Sequence, residues 1–322
     1  MELPAGLRAA IERELEGVSR RDLGERVART SEAYRAGRTS AAVIREADDA
    51  LAYALVRLPA TYAACAAVFA QALAAAPAFR PRSLLDVGAG PAGGSWAAVG
   101  AWPGLAAVTW LDASRPFLDL AAHLAKAGAP ALAGAELRQG DLTATAAFPR
   151  ADLVLASYAL AEIAPARQAA VVGGLWDACE GVLALVEPGT PAGYARILAA
   201  REGLLEAGGH ILAPCPHHRA CPLSPPDWCH FAQRLARSRD HRLAKGADAP
   251  FEDEKYAYLL AARPGVATAP TAARVLAAPR AGKPGIDLKL CTPDGRLETR
   301  FVPRRDKPAY ANARRLGWGD TI

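Results

Sequence analysis

The sequence holds no unbroken run of about 18 or more strongly apolar residues, the length a membrane-crossing helix needs. The most apolar stretch, around Leu51 to Ala76, is interrupted by Arg57, Pro59 and Gln71 and reads as a buried helical region. The start, Met1-Glu2-Leu3-Pro4, lacks the charged-then-apolar plan of a secretory leader. The expectation is a soluble, cytoplasmic protein with no membrane partner. Cysteine is also scarce. The six cysteines include no pair two to four residues apart, the spacing of most structural zinc knuckles. The Cys-x-x-x-Cys-x-x-Cys triplet of radical enzymes is missing too, and no internal repeat is visible. Thiols in a reducing compartment are not expected to pair as disulfides.

Charge is present but uneven. The formal net charge of the 322 residues is +5. The stretch from Arg263 to Ile322 has 12 Lys/Arg against 5 Asp/Glu, a net of +7, so the rest stands at −2. A basic segment of this kind suits phosphate-bearing partners; a solvated surface is the bland alternative.

Hydrophobic residues make up 52% of the chain, much of it alanine, which favours helices. Residues 1–80 read as a helical region: Ile11 to Val18 and Leu23 to Tyr34 have helical spacing. Thr39-Ser40 is placed to cap a helix near Ala41, and Pro59 to open the next. From residue 81 to about 205, short apolar runs alternate with helical stretches. Strands are expected at Leu84–Val87, Ala106–Leu111, near Leu137, at Leu153–Ala156 and at Val182–Val186. That alternation argues for an α/β, Rossmann-like parallel sheet. Residues 206–322 differ. The stretch 214–230 is rich in Pro, Cys and His and excludes a long helix or a central strand. A further strand is expected over Tyr256–Ala262. Leu288–Thr292 and Leu297–Val302 flank Pro293-Asp294-Gly295, the signature of a β-hairpin.

The first strand runs into Asp86-Val87-Gly88-Ala89-Gly90-Pro91. Glycines let the backbone turn tightly and approach a ligand, and open α/β sheets bind ligands at the carboxyl ends of their strands. Asp112, at the end of the second strand, can accept both hydroxyls of a ribose. Asp141, where a third strand would end, can accept from an adenine amino group. A nicotinamide dehydrogenase is the competing reading, because Gly88, Gly90 and Gly93 match Gly-x-Gly-x-x-Gly. The acid inside the strand before the glycines, together with Asp141, favours the other reading. This layout resembles the class I S-adenosylmethionine-dependent methyltransferases. By that resemblance Asp112 binds the ribose, Asp141 contacts the adenine, Gly88 and Gly90 face the methionine part, and Asp86 helps to hold the loop and the amino group. The family's usual third glycine is Ala92 here. The Asn/Asp-Pro-Pro-Tyr/Phe motif that orients a planar amine in amino-methylating enzymes is absent; Ser157-Tyr158-Ala159-Leu160-Ala161-Glu162 stands in its place. Glu187-Pro188-Gly189 is a further candidate lining.

Cys215, Cys221 and Cys229 cluster, with five and seven residues between them, and Cys291 follows after 61 more. Three clustered thiols and one remote thiol allow a four-thiolate site, and soft thiolates select zinc or iron–sulfur clusters. The long spacings suit a [4Fe-4S] cube better than a zinc knuckle; zinc stays the alternative. Cys65 and Cys179, in apolar helical surroundings, read as core residues.

The stretches Arg57-Leu58-Pro59-Ala60-Thr61-Tyr62, Asp86 to Trp96, the three-cysteine loop, Pro250-Phe251-Glu252-Asp253-Glu254-Lys255-Tyr256 and Leu290-Cys291-Thr292-Pro293-Asp294-Gly295 together resemble the methyltransferase-like small-ribosomal-subunit assembly factors. The resemblance covers nearly the whole chain from about residue 40. It implies association with the small ribosomal subunit and its rRNA, and a [4Fe-4S] cluster on Cys215, Cys221, Cys229 and Cys291. Two functions are open at this point: an rRNA methyltransferase, or a non-catalytic assembly factor that uses cofactor and cluster structurally. In either, Arg300, Arg304, Arg305, Lys307, Arg314 and Arg315 would hold RNA by its backbone. Tyr310 and Trp318 would stack on bases, with local packing as their alternative role. The acids of Phe251-Glu252-Asp253-Glu254-Lys255, ahead of the strand that follows, are expected either to pair with nearby arginines around the cysteine loop or to form a solvated turn.

Overall fold

The computed structural model describes residues 1–35 and 39–322. Five helices come first: α1 Ala5–Glu14, α2 Arg20–Arg35, α3 Ser40–Val43, α4 Ala47–Val56 and α5 Leu58–Ala75. Pro59 opens α5, where its missing N–H costs no hydrogen bond. By length and composition α5 would pass as a membrane-crossing helix. Here it is a core helix, packed on α6 and against the sheet strands β7 and β8.

The alternating part follows as β1 Ser83–Val87, α6 Gly93–Ala101, β2 Ala107–Asp112, α7 Arg115–Ala125, α8 Pro130–Ala133, β3 Glu136–Gln139, β4 Ala151–Ser157, α9 Pro165–Ala178, β5 Cys179–Pro188, α10 Pro191–Glu206 and β6 His210–Ala213. Ser114 caps α7 by accepting from the N–H of Phe117, and Thr190 caps α10 by accepting from that of Gly193. Then come β7 Phe231–Ala236, α11 Arg239–Lys245, β8 Phe251–Ala262, β9 Arg274–Val275, β10 Arg280–Ala281, β11 Gly285–Cys291, β12 Leu297–Pro303 and α12 Lys307–Ala313.

The main sheet runs β3-β2-β1-β4-β5-β8-β6. Strands β1 to β5 pair in parallel, β8 lies antiparallel between β5 and β6, and β7 pairs with the first half of β8. Side chains of successive residues point to opposite faces, and both faces are covered. Leu84, Trp110, Leu153 and Leu155 pack under α4 to α7, while Leu85, Leu111, Val154 and Leu183 pack under α9 and α10. Cys65 and Cys179 are fully buried, one in each of these cores. Strands β9 to β12 form a second, four-stranded antiparallel sheet with its own small core of Val275, Ile286, Leu288, Leu290 and Val302.

Candidate cofactor pocket and cysteine site

The strand order reverses between β1 and β4, and the chain leaves β1 there through the glycine loop. Gly88 (φ +65°) and Gly90 (φ +53°) both adopt the left-handed conformation that glycine tolerates. A Cβ on Gly88 would sit 2.8 Å from the Ala159 methyl. Asp112 ties the loop down: its carboxylate accepts from the N–H of Gly90 and that of Ser114, both at 2.8 Å. Burial raises the Asp112 carboxyl, and these two bonds hold it back. Asp141 accepts from the N–H and hydroxyl of Thr143 at 2.7 and 2.9 Å, which lowers its carboxyl. Gly88, Gly90, Asp112 and Asp141 line one pocket together.

Asp86 does not line that pocket. It is fully buried one layer below, where one carboxylate oxygen accepts from the Ser95 hydroxyl at 2.7 Å and the other has no partner. Ser95 in turn accepts from the indole N–H of Trp110 at 3.0 Å. Glu187 is likewise buried and is held by Arg196 at 2.6 Å, away from the pocket.

Tyr158 and Glu162 also line the pocket. Tyr158 holds φ +60°, an uncommon conformation for a bulky residue. Its hydroxyl donates to Glu254 at 2.8 Å, and Arg57 pairs with the same carboxylate at 3.4 Å. Glu162 accepts from the backbone N–H and the hydroxyl of Ser40, so α3 is fastened over the pocket rim. Sequence reasoning missed this contribution of Ser40, because nothing in Thr39-Ser40 signals a contact so distant in the chain.

The three-cysteine segment carries no regular element from 214 to 230. It wraps back so that Cys215, Cys221 and Cys229 line one cavity with Cys291, the last residue of β11. Tyr194, Ile197 and Arg201 from α10 form part of the cavity wall. The Tyr194 hydroxyl donates to the Cys221 sulfur at 3.2 Å, and His217 Nε2 lies 3.3 Å from that of Cys291. The Lys289–Asp227 ion pair clips the segment to the hairpin. Burial raises the thiols of Cys215, Cys229 and Cys291, the last to about 12. Among the described residues, no group of three or more His, Cys, Asp or Glu side chains is arranged to hold a single metal ion.

The acid run expected ahead of a strand lies inside it. Glu252 meets Arg237 and Lys245, Asp253 meets Arg234, and Glu254 meets Arg57. Tyr310 lies under Arg304, and Trp318 meets His230 edge-on, so both aromatics are packed locally. Arg300 is paired with Glu298. Arg304, Arg305, Lys307, Arg314 and Arg315 are exposed and form no ion pair among the described residues. Phe301, 49% exposed on β12, is an aromatic of this surface that sequence reasoning did not single out.

The parallel strands, the reversal of order at β1 and the antiparallel β8 define a Rossmann-like α/β fold with a mixed sheet. The chain matches the family described as mitochondrial small ribosomal subunit Rsm22 over residues 47–322, and it belongs to that family. It is 30% identical over 293 residues to the human ribosome assembly protein METTL17, mitochondrial, covering 84% of this chain and 62% of that one. It is 28% identical over 214 residues to the mitochondrial Rsm22-cox11 tandem protein 2 of Schizosaccharomyces pombe, covering 52% of this chain and 28% of that one. The chain thus spans less than two thirds of these relatives' length. Among solved structures, it is similar to magnesium protoporphyrin IX methyltransferase from Synechocystis with bound S-adenosylmethionine, at a TM-score of 0.42 and 16% identity over 63% of this chain and 80% of that one.

These relatives correct the expectation of a cytoplasmic protein, since both are mitochondrial by name. That expectation rested on the lack of a leader plan and of a spanning run. Neither feature distinguishes one aqueous compartment from another.

Proposed function

We propose that this chain is an S-adenosylmethionine-binding assembly factor of the small ribosomal subunit that carries a [4Fe-4S] cluster on Cys215, Cys221, Cys229 and Cys291. The observation that carries this reading is the shared cavity of four thiols drawn from two distant parts of the chain. Four soft donors around one space are a ligand set for zinc or an iron–sulfur cluster. The long spacings between the four suit the larger cube better than a zinc knuckle, and zinc stays the alternative. Once bound, the cluster would staple the 214–230 segment to the β11–β12 hairpin and add its binding energy to folding.

In the pocket, Asp112 would accept from the ribose hydroxyls and Asp141 from the adenine amino group. Gly88 and Gly90 would let the backbone approach the methionine part, with Asp86 holding the loop from below. The exposed arginines around α12 would hold rRNA by its phosphates, with Phe301 offering a stacking face.

Binding is favoured over methyl transfer because the polar groups at the acceptor side are already engaged, Tyr158 with Glu254 and Glu162 with Ser40. Methylation of rRNA is the second reading. It is favoured by the left-handed Tyr158 beside the pocket, since backbone strain concentrates at active sites.

Incubation with labelled S-adenosylmethionine and immature small subunits separates the two. The expected result is saturable cofactor binding, weakened about tenfold or more in Asp112→Asn, with subunit binding retained and no label in RNA. Label at a defined rRNA nucleotide would establish the second reading. A chain that binds neither cofactor nor subunit would overturn both.

A further inference from the structure

Two arginines beside the cysteine cavity have no acid to balance them among the described residues. Arg201, on α10, is 3% exposed and lines the cavity with the four thiols. Its guanidinium donates to the carbonyls of His217 and Arg219 at 2.9 and 2.7 Å, and its Nε is buried with no partner. Arg274, 5% exposed, sits on β9 directly across the ladder from Cys291. It donates to the carbonyl of Pro214, the residue before Cys215, at 3.0 Å, and also to Gln71 and to the carbonyl of Gly319. Neither arginine forms an ion pair among the described residues.

A buried cation met only by carbonyls is costly, because neutral dipoles do not replace the water it has lost. Arginine does not escape the cost by releasing its proton. The anionic partner must therefore lie within this site, and the groups that can supply negative charge there are the cysteine sulfurs. One of them, the Cys221 sulfur, already accepts from the Tyr194 hydroxyl. Four thiolates around a zinc ion, or around an oxidised [4Fe-4S] core, leave a dianion. Two guanidinium groups balance it.

We infer that Arg201 and Arg274 are the fixed counter-charges of the four-thiolate centre, positioned to stabilise its metal-loaded state over the empty one. This rests on the four-cysteine reading above but holds for a cluster or for zinc. Both arginines are positioning residues. Arg274 also fixes the start of the cysteine segment through Pro214, so one side chain sets both charge and register there.

The test compares thermal unfolding of the full chain, empty and loaded, anaerobically. Loading is done with ferrous iron plus sulfide, and in parallel with zinc. Wild type is expected to gain a large rise in Tm on loading. In Arg201→Gln that rise should fall by roughly half, because one of two balancing charges is gone. Arg274→Gln should behave alike. Arg201→Lys keeps the charge but loses the two carbonyl bonds, so it should lower both melting points while keeping the rise. It also serves if Arg201→Gln does not fold. Equal lowering of the empty and loaded forms in the Gln variants would show plain packing residues and overturn the inference. Failure of wild type to take up either metal would instead sink the four-cysteine reading, and the inference with it.

Discussion

At the scale of single residues, the carboxylates of this chain differ by what surrounds them. Asp112 and Asp141 have backbone N–H partners and face the pocket; Asp86 has one hydroxyl and no opening to water. Burial pushes the Asp86 carboxyl up to about 7; the Asp112 charge adds to this and the Ser95 bond opposes it. The unfolded chain releases that proton near pH 4, as an ordinary aspartate does, whereas the folded chain keeps it to about 7. Folding stability is therefore undiminished below about pH 4, falls as pH rises through that window, and stays lowered above about 7. Asp86→Asn, which has no proton to lose, removes the penalty. Without cofactor, the variant should match wild type near pH 4 and exceed it at pH 8 by on the order of 4 kcal/mol at most, read by denaturant titration at each pH. A gap independent of pH would contradict this account of Asp86.

At the scale of elements, α6 is held against the sheet by a glycine. A Cβ on Gly94 would stand 2.4 Å from a Leu155 methyl on β4 and 3.4 Å from the Asp86 carboxylate. Gly94→Ala should lift the helix and lower stability by about 1–3 kcal/mol, the usual cost of overpacking. Unchanged stability would mean that α6 packs less closely than described. The parallel strands were legible because strands covered on both faces read as continuous apolar runs, and β1, β2, β4 and β5 all do. Strand β7 was not legible. Phe-Ala-Gln-Arg-Leu-Ala has little apolar content of its own, and its pairing depends on the first half of β8, written as Phe-Glu-Asp-Glu-Lys. Those acids occupy a strand because the alternation that places apolar side chains in a core here places charges against cations. Glu252 and Glu254 turn inward to Arg237, Lys245 and Arg57, and Asp253 turns outward to Arg234 across the ladder. The pocket residues of the glycine loop were readable from local sequence. Ser40, Arg201 and Arg274 were not, because each acts through a partner distant in the chain.

At the scale of the molecule, the small second sheet brings charge to one end. The turn after β10 carries Lys283, and the turn after β12 carries Arg304 and Arg305; the N–H of Arg304 donates to the carbonyl of Pro284, which joins the two turns. If this end meets rRNA phosphates, replacing Arg304, Arg305 and Lys307 by Ala should weaken binding uniformly across sequences. The slope of log affinity against log salt should become shallower by about two to three. An unchanged slope would move the RNA surface elsewhere. The cysteine centre lies at the other end of the same hairpin, where Cys291 closes β11. One β-ribbon thus links the proposed metal centre, at its turn, and the proposed RNA surface, at its open end.

The most direct measurement is the iron and sulfide content of the anaerobically purified chain, taken with its visible spectrum, for wild type and Cys291→Ser. The account predicts a brown protein with about four irons per chain and loss of the metal in the variant. A colourless wild type, or a Cys291→Ser variant with full occupancy, would contradict it.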